Sequence, residues 1–215
     1  MIGGQVVGVV VTGAFRGEFQ NLRDDRVETT RTRTYVPAAR VVTELGAPWM
    51  VNFCTAISAG IAVGALAWGV FVAVITGGIP VIINLSVGRH GVVESEPHGV
   101  NPAILAAIGF GLVIEILLAG PRELIAWTAS VLAVLAGVCV VTAVWKWKVS
   151  AHTAVAAGTT VLLAMIASPW ALAALPLTAV IGWSGVRLGD HIRQQAEVGA
   201  LLGITLASAA YLLTA

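Results

Sequence analysis

The sequence predicts an all-α fold, a polytopic transmembrane helix bundle of six to seven membrane helices. Three observations carry that expectation. The chain of 215 residues is 58% hydrophobic and only 11% charged, with a mean hydropathy of +0.91, whereas a soluble domain devotes about a quarter of its residues to charge. The apolar residues also fall in uncharged runs of membrane length. Trp49 to Val87 is 39 residues without a charge, about 58 Å as one helix and roughly twice the hydrocarbon thickness. Finally, Trp49, Trp68, Trp145, Trp147, Trp170 and Trp183 sit at the ends of predicted spans, where amphipathic rings favour the headgroup level.

The elements follow in order. Residues 1–46 form a polar lead-in and residues 47–215 the membrane-embedded helical domain. The short apolar run in 1–14 lacks a basic start, so no cleaved signal peptide is expected. Residues 15–46 are rich in arginine and threonine, with Asp24, Asp25 and Glu28. They suit a solvated or interfacial segment, or one that binds anionic headgroups. The stretch from Trp49 to Val87 should be two helices joined by a tight turn near Gly64–Gly69. Further spans are expected at Pro102–Ala119, Leu124–Trp145, Ala151–Ala167, Trp170–Trp183 and Val198–Thr214, with breaks at Pro121 and Ser168–Pro169. Seven crossings result if the first stretch crosses twice. Gly60-x-x-x-Gly64 and Gly199-x-x-x-Gly203 would allow close helix contact.

On this map Arg16, Arg23, Arg26, Arg31, Arg33, Arg40, Arg89, Lys146, Lys148, Arg187 and Arg193 share one side, and only Arg122 lies opposite. The positive-inside rule makes the crowded side cytoplasmic. A net charge of +1 gives no reason to expect nucleic acid as a partner. A homo-oligomer is compatible with the sequence. Cys54 and Cys139 both fall inside apolar runs and are expected to pack as buried thiols without a disulfide.

The polar exceptions converge. All four histidines, His90, His98, His152 and His191, fall on the arginine-rich side, and ionisable groups at membrane depth point to function. In KWKVSAHTAV (146–155), Ser150 is placed to cap the following helix. The free amides behind it, with Lys146 and Lys148 nearby, suit an anion such as phosphate; an ordinary cap with snorkelling lysines fits equally. In SGVRLGDHIRQQ (184–195), His191 and Gln195 are spaced i, i+4, so a helix there would let the amide orient the imidazole. An imidazole so held can serve as nucleophile or as general acid or base; a structural histidine is the other reading.

Together these segments resemble the type-2 phosphatidic acid phosphatase superfamily, which includes lipid phosphatases and vanadium haloperoxidases. That family carries K-x6-R-P, P-S-G-H and S-R-x5-H-x3-D. Here V-S-A-H at 149–152 stands for the second motif, and S-G-V-R-L-G-D-H at 184–191 keeps the serine-to-histidine spacing of the third. Residues 40–215 resemble small bacterial members in helix order, which implies a bacterial plasma membrane. The resemblance implies hydrolysis of a lipid phosphomonoester or diphosphate, of polyprenyl or phosphatidic acid type, with a membrane lipid as substrate and no metal or other cofactor. His191 would attack phosphorus, His152 would protonate the leaving alkoxide, and Gln195 would accept from the nucleophile's ring. Ser150 and the amide of Ala151 would hold the phosphoryl oxygens, with Arg187 and Lys148 supplying charge.

Several motif positions depart from the family. Its first lysine is Glu94, its first arginine Asn101, its second arginine Gly185 and its final aspartate Gln195. A charge-assisted hydrogen bond contributes roughly 1.5–3 kcal/mol, so two missing arginines correspond to roughly 3–6 kcal/mol, or about 10² to 10⁴ in rate. These departures frame the alternative: a catalytically degraded relative that binds lipid phosphate or has a structural role. Arg187 is the nearest substitute, but two helical residues turn a side chain by about 200°, so irregular backbone at Gly185 and Gly189 would be needed. Zinc held by the histidines with Glu94 and Glu96 is a further alternative. Glu115, within the third span, is expected to reach the far interface toward Arg122, the other possibility being an intramembrane functional acid.

Overall fold

The computed structural model describes residues 37–86 and 100–215; the loop histidines His90 and His98, and Arg89, Glu94 and Glu96, lie outside them. Among the described residues every regular element is helical. The chain divides after Ala38, and Ala39–Ala215 forms one compact unit.

Helix α1 (Pro37–Leu45) and α2 (Pro48–Ala62) meet at a 44° bend. Pro48 opens α2, where its missing N–H costs nothing but ends the preceding helix. The turn expected in the first apolar stretch falls at residues 63–65, with Gly64 at φ +69, a conformation that only glycine adopts without strain. A Cβ on Gly60 would lie 2.5 Å from Gly69 Cα, so α2 and the next helix touch backbone to backbone at these two glycines. The contact pair is therefore Gly60 with Gly69, not Gly60 with Gly64. Gly64 has nothing within 4 Å of its Cβ direction, because the turn carries it away from the interface.

Helix α3 (Leu66–Ser86) runs 21 residues and widens into a π-helical segment at Val74–Gly78 just before Pro80. Helix α4 (Pro102–Leu117) and α5 (Arg122–Trp145) form a hairpin. Then come α6 (Ala151–Ile166), α7 (Pro169–Leu188, with its first two turns 3₁₀ from Pro169 to Ala174) and α8 (Arg193–Thr214). Among the described residues four helices, α3, α5, α7 and α8, are long and apolar enough to cross a membrane, and the α1–α2 pair makes five if it is one bent span. Helices α4 and α6 are apolar but shorter, at 16 residues each. These features fit a membrane protein.

Helix α6 is the axis of the bundle, packed against α8, α2, α5 and α7. Every residue from Ala151 to Thr160 is buried. Small side chains make this possible: Ala154, Ala156, Ala157 and Gly158 leave a thin rod that neighbours can approach closely. Cys139 is partly buried, but Cys54 is exposed on α2. That corrects the buried packing expected for Cys54, since the inward face of α2 is taken by Asn52, Ala56, Ala59 and Gly60.

Candidate functional site

Ser150 caps α6 as expected, its Oγ accepting from Thr153 N at 3.5 Å. The same turn is tied to the start of α8. Ser150 N donates to the Gln195 carbonyl at 3.2 Å, and Thr153 Oγ1 donates to the Ala196 carbonyl at 2.8 Å. Gly199 makes this closeness possible, because a Cβ there would sit 2.5 Å from Ser150 O. One helical turn on, any Cβ at Gly203 would overlap the Ala154 carbonyl. The Gly199-x-x-x-Gly203 stripe is thus a real interface, and it sews together the two segments that hold the candidate histidines.

His152 stands in the first turn of α6 and is 4% exposed. His191 lies between α7 and α8 and is 7% exposed. Each takes part in a further interaction, so neither is free. Gly185, on the last turns of α7, faces His191: a Cβ there would lie 3.6 Å from His191 Cδ2. The N-terminus of α6 adds partial positive charge near His152, which stands in its first turn. The hydrogen-bonded seam thus sets the Ser150 cap and His152 of α6 against the start of α8, with His191 in the connector just before it.

The single helix that would put His191 and Gln195 on one face does not form. Helix α7 closes at Gly189, φ +81, with Asp190 N bonded to Gly185 O at 3.0 Å, and α8 starts only at Arg193. His191 therefore sits in the connector. The Gln195 side-chain carbonyl accepts instead from Ile192 N at 3.0 Å, capping its own helix. Arg187 lies in regular helix at the end of α7 and is exposed, so the irregular backbone it needed is missing and it projects about 200° around the helix from Gly185. Arg187 has a further interaction of its own. Lys148 is half-buried in the linker before Ser150, and Ala151 is fully enclosed. Arg193 is exposed and paired with Glu197 at 2.6 Å.

Asn101, at the position of the resemblance's first arginine, has a local job. Its side chain caps α4 by accepting from Ala103 N at 2.9 Å. Glu115 is corrected outright: it is fully buried and accepts from Thr128 Oγ1 at 2.8 Å. The tight turn after α4, closed by Gly120 N on the Glu115 carbonyl, folds the second turn of α5 back over this carboxyl before it can reach Arg122. Among the described residues no group of three His, Cys, Asp or Glu side chains could hold a metal ion.

Comparison of the chain with family models, curated proteins and solved structures gives no match. Sequence reasoning missed Thr153, whose hydroxyl bridges the two motif segments. The Thr153 signal was available, since it sits three residues after a capping serine.

Proposed function

We propose that the protein is an integral membrane lipid-phosphate phosphatase of the type-2 phosphatidic acid phosphatase kind, working through a phosphohistidine. The observation that carries this reading is the hydrogen-bonded seam between Ser150–Thr153 and Gln195–Ala196, which brings buried His152 and the neighbourhood of buried His191 to the same end of α6 and α8. His191 attacks phosphorus as the bond to the lipid oxygen breaks, and His152 gives that oxygen its proton. Water then cleaves the P–N bond and releases phosphate. Ser150 and the α6 amides receive the phosphoryl oxygens.

In this reading all the apolar helices cross or enter the membrane. The four long helices, the bent α1–α2 pair and the two 16-residue helices total seven, and a helix of about 24 Å is accommodated by local thinning or snorkelling flanks. The histidine end faces the cytoplasm of a bacterial cell, where the lysines and arginines gather.

A second reading has its own support. Asn101 is committed to capping, and Gly185 presents no side chain to His191, as expected of a relative that binds lipid phosphate without turning it over. Phosphate release from a panel of lipid phosphates by detergent-purified protein, beside His191→Ala, separates the two. The hydrolytic reading expects release by the native protein and a loss of at least about 10³-fold in the variant. Equal, background release from both proteins overturns it in favour of the non-hydrolytic relative.

A further inference from the structure

Three helices meet at one side chain. Thr153, in the first turn of α6 and buried, turns its hydroxyl to α8, donating to the Ala196 carbonyl at 2.8 Å. The alternative acceptor on its own helix, the Ser150 carbonyl, lies farther off at 3.2 Å, so the one hydroxyl proton goes to the neighbouring helix. The methyl of Thr153 turns to α7: a Cβ on Gly182 would lie 3.2 Å from Thr153 Cγ2 and 3.3 Å from Ala196 Cβ. Glycine is needed on the α8 side as well, because a Cβ on Gly199 would lie 2.5 Å from Thr153 Oγ1. Helix α7 thus meets the methyl of Thr153, and α8 meets its hydroxyl.

Gly182 and Ala196 also bound the stretch that carries His191. From Gly182 the chain runs to the end of α7 at Leu188, turns, and re-enters helix at Arg193. Both flanks of His191 are fixed locally. Asp190 N donates to Gly185 O at 3.0 Å, and Ile192 N donates to the Gln195 side chain at 3.0 Å. What those bonds leave open is the angle between α7 and α8, and that angle is set where the two helices meet, at Thr153. Six helical residues, about 9 Å, separate Gly182 from Leu188, so a tilt of about 6° at the junction carries the far end by about 1 Å.

We infer that Thr153 is a positioning residue for His191: through α7 and α8 it fixes where that imidazole stands relative to α6 and His152. The catalytic consequence rests on the lipid-phosphate reading, whereas the placement does not. A displacement of about 1 Å at a reacting group costs about 10²-fold in rate. Valine in place of Thr153 supplies a displacement of that order. It keeps the methyl facing Gly182 but sets a second methyl where the hydroxyl was. A carbon needs about 3.3–3.6 Å from a carbonyl oxygen, where the hydroxyl oxygen stands at 2.8 Å. Helix α8 must then back away by about 0.5–0.8 Å. Serine keeps the bond to Ala196 and leaves α8 where it is.

The test reads the position of His191 both with and without turnover. The whole chain, purified in detergent with isotope-labelled histidine, is compared with its variants by NMR, the His191 ring signal being identified by its loss in His191→Ala. Thr153→Val should displace that signal by more than its linewidth, and Thr153→Ser should leave it in place. Thr159→Val is the control: Thr159 is equally buried on α6, but its hydroxyl donates to its own helix at Val155 O, 2.8 Å away, so the His191 signal should not move. Gly182→Ala reaches the same junction from α7, its Cβ pressing on the Thr153 methyl at 3.2 Å, and should displace the signal too; it serves as the test if Thr153→Val does not fold. In phosphate release from a lipid phosphate, Thr153→Val should lower kcat about 10- to 100-fold with KM within about two-fold, and Thr153→Ser should restore kcat to within about three-fold of native. An unmoved His191 signal in folded Thr153→Val, or in Gly182→Ala where only that variant folds, overturns the inference. An equal displacement in Thr159→Val or Thr153→Ser overturns it as well. A signal that moves as expected while no protein releases phosphate keeps the placement and removes the hydrolytic reading; release that Thr153→Val leaves unchanged does the reverse.

Discussion

Gly185→Arg offers a direct test of the site's geometry. Gly185 lies in regular α7, and a Cβ built there meets only His191 Cδ2, at 3.6 Å. That is ordinary van der Waals contact, so the side chain enters without moving backbone. Replacing a helical glycine also removes about 0.8–1 kcal/mol of unfavourable helix propensity, so the variant should melt at or slightly above the native temperature. From that Cβ a guanidinium reaches past the imidazole to where a phosphoryl group bound at His191 would lie. One charge-assisted hydrogen bond contributes roughly 1.5–3 kcal/mol, which predicts a gain of about 10- to 150-fold in kcat/KM. Phosphate release from a lipid phosphate, with melting in the same detergent, measures both quantities. A folded variant with unchanged or lower activity would show that the Gly185 face of His191 does not address phosphorus, and the arrangement proposed for the site would be wrong.

Two further substitutions probe the scaffold. Gly203→Val drives a branched side chain into the Ala154 carbonyl on α6 and should lower stability by about 1–3 kcal/mol with loss of any phosphate release, read by thermal unfolding in detergent; a native-like melt would mean α6 and α8 are not in backbone contact. Asn101→Ala removes the cap of α4 and should cost about 0.5–2 kcal/mol while leaving lipid-phosphate binding within two-fold, since the capping amide acts on its own helix.

Much of the molecule was legible before any coordinates. Uncharged runs of membrane length define apolar helices because lipid requires each backbone N–H and C=O to be satisfied within its own segment. The breaks at Pro121 and Pro169 and the turn at Gly64 were legible too, because proline cannot continue a helix and glycine can turn one; the break at Pro48 was not foreseen. Ser150 was readable as a cap because capping is local, decided by the residue and its next three neighbours. Helix ends were less so, since α8 begins at Arg193 rather than at the first apolar residue, Val198; a capping glutamine and a salt bridge extend it through polar sequence.

What the tertiary structure alone decided is who meets whom. His191 and Gln195 have the spacing of a helical pair, yet the αL turn at Gly189 ends one helix and Ile192 starts the next, so the two do not share a helix. Glu115 has the sequence position of an interfacial acid, yet a tight hairpin lays Thr128 over it. Periodicity and capping act within a few residues and are written in the chain. Contacts between residues forty or a hundred positions apart depend on which small side chains let helices close on each other, and that is settled only when the bundle packs.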